Sequence, residues 1–280
     1  MRHSVTVRVG PAAFRVGADW RSPIEQLRDL YRDYPAFGGV PDFTVSLSAA
    51  RPWRRWIRPS VAIGGDFTLP EAAPLPLAHG LLAAEMAMNL QMALGWRRHL
   101  LLHAATVERD GRALILCGES GAGKSTLAAM LHRTGWRLLG DEFALIDPAT
   151  GDVHPFPRPI SLKNSSVALL RDHGRWGSLL TGTPKGDIRH LIPDPASIAA
   201  MTRPAVPALL LFPRFGFDAA AREVGGSEGF VRLTTASTNY TGLGEAGFRT
   251  LTRLVHHVPM AAIDYPDTDV ALTLIEELWR

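Results

Sequence analysis

Apolar and polar residues alternate with the two-residue period of β-strands in short runs near the start of the chain. The runs "HSVTVRV" and "DFTVSLS" each place their apolar residues on one face, which predicts two strands. Between them, "SPIEQLRDLYRDY" spaces its apolar residues three and four apart, which predicts a helix. We therefore expect an N-terminal α+β domain over residues 1–75, followed by a larger domain over residues 76–280.

A long apolar segment, residues 77–96, comes next. It is interrupted by polar residues that would be costly in hydrocarbon, namely His79, Glu85, Asn89 and Gln91. The pattern therefore predicts a half-buried helix and no membrane span. The proline-rich run "LPEAAPLPL", residues 69–77, marks the expected joint between the two domains.

From residue 100 the pattern changes to strands that alternate with helices. The apolar runs "LLHAATV" and "ALILC" flank the turn signal Asp110-Gly111, which predicts a hairpin. A helix, "STLAAMLHRTG", is expected to end at Gly135, and "WRLLGDEFALID" is expected to form the next strand. Further strands are predicted at "VPALLLF", "FVRLTT" and "MAAIDY", and helices at "LGEAGFRTLTRLVHHV" and "TDVALTLIEELW". The fold class is therefore α/β.

Composition excludes several classes of protein. The 280 residues are enough for a substantial core, and a net charge of +3 gives no reason to expect nucleic-acid binding. A single cysteine, Cys117, excludes an internal disulfide and fits a reducing compartment. The first residues have no apolar stretch of signal-peptide length, so we expect a cytoplasmic protein.

The most informative motif is "GESGAGKS", which matches the phosphate-binding loop pattern G-x-x-x-x-G-K-[ST] between a predicted strand and a predicted helix. Loop amides and the helix N-terminus would hold the β-phosphate, Lys124 would reach the β- and γ-phosphates, and Ser125 would bind Mg²⁺. The alternative is a glycine-rich turn without a ligand. The predicted nucleotide-binding residues are Gly118, Glu119, Ser120, Gly121, Ala122, Gly123, Lys124, Ser125 and Thr126.

Two acids follow the loop closely in the chain. Asp141 comes 17 residues after Lys124, so it lies on the strand that directly follows the loop helix. A strand-end acid there can bind Mg²⁺ or accept the proton of an attacking hydroxyl, and the neighbouring Glu142 allows both roles. The alternative is a solvated acidic strand end. Neither an "LSGGQ"-like nor an "NKxD"-like motif occurs.

The stretch "LLHAATVERDGRALILCGESGAGKSTLAAMLHRTGWRLLGDEF" resembles the core of the HPr kinase/phosphorylase family. The resemblance implies a P-loop kinase core of the HPr-kinase/PEP-carboxykinase-like type, here with a smaller N-terminal α+β domain. It also implies that His103 assists the acid pair, that one acid is the base toward a protein serine, and that Mg²⁺ bridges the phosphates. His103 lies on an apolar strand in this prediction, where the alternative is a structural histidine.

Three further segments, "RPISLKN", "TGTPKGDIRHL" and "NYTGLGEAGF", are similar to HPr-kinase-related proteins of peptide-modification and exosortase-type gene clusters. The chain departs from the parent family in having Glu142 where that family has aspartate, and in lacking its "IRGLGI"-like stretch. HPr itself is therefore not the expected substrate. The resemblance also implies a homo-oligomer.

These patterns predict a kinase that transfers the γ-phosphate of ATP to a protein or peptide serine, with ATP and Mg²⁺ as cofactors. The predicted catalytic residues are Asp141, Glu142, His103 and Lys124, and the predicted metal ligands are Ser125, Asp141 and Glu142. Two alternatives remain open. One is a small-molecule kinase, and the other is a binding protein whose slow ATP turnover switches a partner interaction.

Other charged segments give weaker evidence of a binding role. The run "RPWRRWIRP", residues 51–59, would bind an acidic peptide or a nucleotide through arginines and tryptophans, or else form a protected edge strand. Cations at Lys163, Lys185 and Arg189 fall in predicted loops, where they would close over the phosphates or remain solvated. The remaining histidines show no metal-ligand spacing, so no transition metal is expected.

Overall fold

The computed structural model describes residues 2–69 and 71–280, and within them the chain is a mixed α/β structure with four sheets. Its strands, in chain order, are β1 (His3–Val9), β2 (Ala12–Ala18), β3 (Phe43–Ala49), β4 (Ser60–Gly65), β5 (Leu75–Pro76), β6 (Leu100–Leu102), β7 (Ala104–Arg109), β8 (Arg112–Cys117), β9 (Arg137–Gly140), β10 (Ala144–Ile146), β11 (Val153–His154), β12 (Ile160–Lys163), β13 (Arg175–Trp176), β14 (Leu180–Thr183), β15 (Gly186–Ile192), β16 (Val206–Phe215), β17 (Ala220–Glu223) and β18 (Met260–Tyr265). Its α-helices are α1 (Arg21–Leu30), α2 (Gly80–Gly95), α3 (Lys124–Arg133), α4 (Ser165–Leu169), α5 (Pro195–Ala199), α6 (Gly226–Ala236), α7 (Tyr240–Leu243), α8 (Glu245–His257) and α9 (Thr268–Leu278).

The strands form a five-stranded sheet, a six-stranded sheet and two smaller sheets. The first sheet has the order β1-β2-β3-β4-β5. A six-stranded sheet has the order β17-β18-β16-β8-β7-β9, in which β16 is parallel to both β8 and β18, while β7 is antiparallel to β8 and β9. The smaller sheets are β11-β10-β6 and β12-β15-β13, with β14 paired to β15. Strands β8 and β9 therefore point in the same direction.

Three buried clusters explain how these layers pack. One joins the first sheet to α1 and α2 and continues to Phe156. The second covers one face of the six-stranded sheet with α3 and α9, through residues such as Leu127 and Ile275. The third covers the opposite face with α6 and α8, through Leu233 and Leu254. Apart from the exposed edge strand β17, the six-stranded sheet is thus covered on both faces, which fits the nearly continuous apolar runs of strands such as β8 and β16.

Most elements predicted from periodicity are present. The strands β1 and β3, the helix α1, the hairpin β7–β8 and the helix α3 all lie where the pattern placed them. The segment at residues 77–96 forms a short 3₁₀ turn, Leu77–His79, followed by α2. The predicted proline-rich joint includes residue 70, which lies outside the described residues. The division of the chain near residue 75 remains a prediction.

Two strand predictions were wrong. The run "FVRLTT" belongs to α6, because Leu233 is fully buried against Leu251 and Leu254 of α8, and this packing outweighs the strand preference of its β-branched residues. The run "WRLLGDEFALID" forms two strands, β9 and β10, in different sheets. The chain turns sharply at Gly140, where a Cβ would lie 2.7 Å from the Phe143 carbonyl oxygen.

Two further expectations need correction. The run "RPWRRWIRP" is not an edge strand, since Pro52–Arg55 forms a 3₁₀ turn between β3 and β4. Lys163 is not in a loop but ends the strand β12, and Arg189 lies within β15.

Candidate functional site

The three predicted parts of the site meet at one edge of the six-stranded sheet. The loop Gly118–Gly123 follows β8, the acids Asp141 and Glu142 follow β9, and His103 precedes β7, which runs in the opposite direction between them. The pairing of Ala104 with Cys117 places His103 beside the start of the loop. His103 is therefore not within a strand, as predicted, but in the bend between β6 and β7.

The glycine-rich loop has a backbone that other residues would strain. Gly121 and Gly123 have φ values of +89° and +92°, in the left-handed region that favours glycine. A Cβ on Gly123 would also lie 2.0 Å from the hydroxyl oxygen of Tyr265. That hydroxyl donates to the Ala122 carbonyl at 2.9 Å, so β18 supports the loop directly. Helix α3 begins at Lys124, immediately after this turn.

The Lys124 ammonium group lies inside the loop. Its side chain is buried, and Nζ donates to the carbonyl oxygens of Gly118 at 2.7 Å and Glu119 at 2.9 Å. Burial lowers the pKa of Lys124, and the neighbouring groups Cys117, Asp141 and Glu142 oppose that shift. A buried cation at a helix N-terminus is suited to bind an anion.

Asp141 is a buried carboxyl group with one oxygen engaged. Oδ2 accepts a hydrogen bond from the Ser161 amide at 3.1 Å, whereas Oδ1 is buried without a hydrogen-bond partner among the described residues. Burial and then the neighbouring Glu142 charge raise the pKa of Asp141 to about 7, with Ser125, the Ser161 amide and Lys124 acting against them. Its protonation therefore changes near neutral pH.

Glu142 and His103 form the more exposed side of the site. His103 Nδ1 lies 3.2 Å from the Glu142 carbonyl oxygen and 3.8 Å from Glu142 Oε2. Burial lowers the pKa of His103, and the Glu142 carboxylate opposes this. The ring is therefore close enough to orient Glu142 through a hydrogen bond from Nδ1 to the backbone carbonyl.

The donor atoms around Asp141 fit a hard divalent cation. The Asp141 carboxylate has a buried oxygen that no described residue contacts by a hydrogen bond, Glu142 supplies a second carboxylate beside it, and Ser125 supplies a hydroxyl at the start of α3. Oxygen ligands of this kind are those that Mg²⁺ prefers.

Other predicted residues have different surroundings. Thr126 Oγ1 lies 2.8 Å from Ser166 Oγ, so this hydroxyl contacts α4. The Lys163 charge is near enough to lower the pKa values of Lys124 and His103, whereas Lys185 is exposed. Arg189 Nε donates to the Gly177 carbonyl at 3.0 Å, and its guanidinium lies over the Trp176 ring. Of these three cations, Lys163 is the one whose charge acts on residues of the candidate site.

Sequence patterns did not identify Ser161 or Tyr265. Ser161 holds Asp141 through a backbone amide, which no side-chain pattern can reveal, although it lies in the segment "RPISLKN". Tyr265 supports the loop from the end of β18, and only the parallel pairing of β8, β16 and β18 brings it there.

The fold also gathers three side chains of metal-ligand type elsewhere, His99, Asp147 and His154. The Trp96 indole donates to His99 Nδ1 at 3.0 Å, so the neutral imidazole carries its proton on Nε2. That nitrogen has no free lone pair for a metal in this arrangement. His154 Nε2 lies 3.4 Å from Asp147 Oδ2, so this group fits a hydrogen-bonded cluster.

Two comparisons found proteins to which parts of this chain are similar. The family model "ScmC: SynChlorMet cassette protein ScmC" matches residues 81–174, which include the loop and both acids. A solved structure, the Hpr(Ser) kinase/phosphatase from Coxiella burnetii, is similar at 16% identity and a TM-score of 0.30, covering 64% of this chain and 92% of that chain. No curated protein matches. The solved structure is of the kind of protein that the sequence motifs resemble.

Within residues 2–69 and 71–280, no helix combines the length and the apolar composition of a membrane span. The helix α2, which covers the most apolar segment, has 16 residues and includes the buried polar side chains of Glu85 and Gln91.

Proposed function

We propose that the chain is an ATP-dependent kinase that transfers the γ-phosphate to a serine hydroxyl of a protein or peptide. The observation that supports this best is the meeting, at one sheet edge, of the Gly118–Gly123 loop with its buried Lys124 and the buried carboxyl of Asp141. A phosphate-binding loop alone fits many activities. A buried acid with a pKa near 7 beside it fits proton transfer from an attacking hydroxyl.

In this proposal the loop and α3 bind the triphosphate. The loop amides and the N-terminus of α3 surround the β-phosphate, and Lys124 exchanges its contacts with the carbonyls of Gly118 and Glu119 for phosphate oxygens. Ser125, Asp141 and Glu142 would hold Mg²⁺, which supplies charge neutralisation across the phosphates when bound. The acid pair divides two tasks, with Glu142 mainly a ligand and Asp141 mainly the base.

The transfer step then needs little beyond positioning. The serine oxygen forms a bond to the γ-phosphorus while the bond from that phosphorus to the bridging oxygen of ADP breaks, and the serine proton passes to Asp141. His103 positions Glu142 through the hydrogen bond that Nδ1 donates to the Glu142 carbonyl. Lys124 stabilises the charge that moves toward the leaving phosphate.

The segment "RPWRRWIRP" is the proposed contact for an acidic substrate peptide. It lines a cavity of about 1070 Å³ with Arg51, Arg54 and Arg58, and no acidic residue lies among the described lining residues. Trp53 and Trp56 are more than half exposed beside it. Positive charge with exposed aromatic rings suits a peptide that carries carboxylates.

A direct assay tests the activity. The full chain is incubated with Mg²⁺, ATP labelled at the γ-phosphate and an array of serine-containing peptides, each with a serine-to-alanine partner peptide. We expect label on serine peptides only, and a loss of roughly a hundredfold or more in Lys124→Ala, because the cation that meets the transferring phosphate is removed. Arg171→Ala, which removes an exposed cation with no proposed role, is the control.

Two results would contradict the proposal. If calorimetry detects no binding of ATP with Mg²⁺ to the wild-type chain, the loop is not a nucleotide site. If ATP is bound and slowly hydrolysed but no peptide is labelled across the array, a nucleotide-gated binding protein replaces the kinase.

A further inference from the structure

The positions of the acids fix the direction in which a triphosphate would lie in the loop. Asp141 and His103 lie on the β7 and β9 side of β8, so the γ-phosphate, where transfer takes place, belongs on that side. The nucleoside is attached at the other end of the triphosphate. It must therefore leave the loop on the side of β16 and β18, which end at the same edge because they are parallel to β8.

A cavity lies along that path. Its volume is about 1070 Å³, and its lining runs from His103 and the loop residues Gly118–Ala122 to the ends of β16 and β18. Helix α6 closes one side with Val231 and Arg232. The cavity thus connects the acid side of the loop with the region where the nucleoside would lie.

The far end of this cavity exposes unusually large apolar side chains. Phe215, Phe217 and Val231 are 55%, 48% and 63% exposed, and all three line the cavity. Clustered exposed apolar residues beside a ligand loop indicate a binding surface. Phe215 is anchored, since its ring lies 5.6 Å from that of Tyr265, whose hydroxyl supports the loop, and its Cβ approaches Gly123.

The charged residues near this end of the cavity form ion pairs with one another. Arg214 donates two hydrogen bonds to Asp264, at 2.8 and 2.5 Å, and its guanidinium lies 4.0 Å from the centroid of the Phe217 ring. Arg222 and Arg232 both donate to Glu228. Both carboxylates therefore already accept hydrogen bonds from arginine side chains.

We infer that this cavity binds the nucleoside of the triphosphate and that the aromatic rings of Phe215 and Phe217 form the platform on which a purine base stacks. The inference depends on the proposed nucleotide-binding function and adds its base site. Stacking on an aromatic ring accepts any base with a large flat face, so adenine and guanine should bind similarly. The smaller cytosine covers less of the platform and should bind more weakly.

The test separates the base from the phosphates. Binding of ATP, GTP, CTP and inorganic tripolyphosphate, each with Mg²⁺, is measured by calorimetry on the full chain and on Phe215→Ala and Phe217→Ala. We expect ATP and GTP to lose about tenfold or more in affinity in each variant, with tripolyphosphate unchanged. Phe215→Tyr should retain the affinity for ATP, and Phe248→Ala, which removes a ring of 50% exposure on α8, is the matched control.

Each outcome tests either the purine platform or the proposed phosphate site. If wild-type protein binds ATP no more tightly than tripolyphosphate, or if both alanine variants retain ATP affinity, the platform is wrong while the phosphate site stands. If Phe215→Ala loses ATP and tripolyphosphate equally, the ring supports the loop and does not bind the base. If wild-type protein binds neither ligand, the proposed function fails and the platform fails with it.

Discussion

The Arg158 guanidinium and the Glu85 carboxylate form an ion pair from which water is almost completely excluded. Glu85 comes from α2, and Arg158 precedes β12, three residues before the Ser161 amide that holds Asp141. Arg158 Nε also donates to the Tyr31 hydroxyl at 3.1 Å, just after α1. The pair therefore connects the helices packed on the first sheet with the strand that supports the candidate base.

Removal of Arg158 should destabilise the fold severely. In Arg158→Met the Glu85 carboxylate stays buried without its partner, so we expect the free energy of unfolding to fall by about 3–5 kcal/mol in chemical denaturation. Arg158→Met combined with Glu85→Leu should recover much of this loss, because no unpaired charge remains. Arg171→Met, at an exposed position, serves as control. A loss below about 1 kcal/mol in Arg158→Met would show that Glu85 is compensated by water.

Sequence patterns were sufficient to predict the parts of the site whose residues lie close together in the chain. The loop motif, the helix after it and the short distance to Asp141 follow from spacing, and they define the strand-loop-helix-strand order. The nearly continuous apolar runs of β8 and β16 also fit strands of the six-stranded sheet that are covered on both faces. The helix α1 could also be predicted from the sequence, since its buried residues recur at helical spacing.

The remaining features depend on contacts between distant segments. No sequence pattern indicates that the Ser161 amide reaches Asp141, that Tyr265 reaches Ala122, or that Arg158 pairs with Glu85. The strand prediction for "FVRLTT" failed for a similar reason, because the face of α6 that carries Leu233 is selected by α8.

The stability of the fold should fall in mild acid because of His99. Burial, followed by the His154 charge, lowers the pKa of His99 to about 4, while Asp147 opposes this and Arg98 adds to it. The folded state therefore favours the neutral ring. The resulting stabilisation is complete above about pH 6.5 and is lost as the pH falls toward about 4, with a size on the order of 3 kcal/mol.

Denaturation of wild-type protein and of His99→Asn at about pH 7.5 and about pH 5 measures this effect. Asparagine keeps an acceptor for the Trp96 indole but does not titrate, so the variant should lose less stability between the two pH values. His256→Asn, an exposed histidine, should behave as the wild type does. Equal pH dependence in His99→Asn and wild type would assign the effect to other groups.

The cationic cavity near the first sheet should affect peptide binding without affecting ATP. Arg55 donates to the Asp19 carbonyl at 2.9 Å and serves the fold, so Arg51→Ala with Arg54→Ala is the cleaner variant. With a serine peptide rich in aspartate and glutamate, we expect KM to rise roughly three- to tenfold at low salt, and less at high salt. The KM for ATP should not change.

The control for this variant is Arg171→Ala, which removes an exposed charge elsewhere. A neutral serine peptide should respond weakly to the variant at the cavity, because the lost interaction is electrostatic. Unchanged kinetics with the acidic peptide would show that Arg51 and Arg54 are merely solvated.

The stability of Asp141→Asn gives evidence about the candidate base that does not depend on any substrate. Because the fold raises the pKa of Asp141 to about 7, its charged form is disfavoured in the folded state. This cost is absent at a pH below the carboxyl's ordinary value and grows to its full size above about pH 7. Asp141→Asn should therefore be more stable than wild type by about 1–3 kcal/mol at about pH 8. Asp172→Asn, at an exposed position, should not differ from wild type.

The activity of the same variant separates the roles of the two acids. Asparagine keeps the size of Asp141 but cannot accept the serine proton, so we expect phosphate transfer to fall by roughly two to four orders of magnitude. ATP should still bind, because the loop amides, Lys124 and Ser125 carry that affinity. If the main task of Glu142 is to hold the metal, as proposed, Glu142→Gln should lose less activity, and raised Mg²⁺ should restore part of it. If Asp141→Asn loses ATP binding in step with activity, Asp141 acts through the metal. If only Glu142→Gln shows a collapse that Mg²⁺ does not rescue, Glu142, which lies beside His103 and is the more exposed of the two acids, is the base.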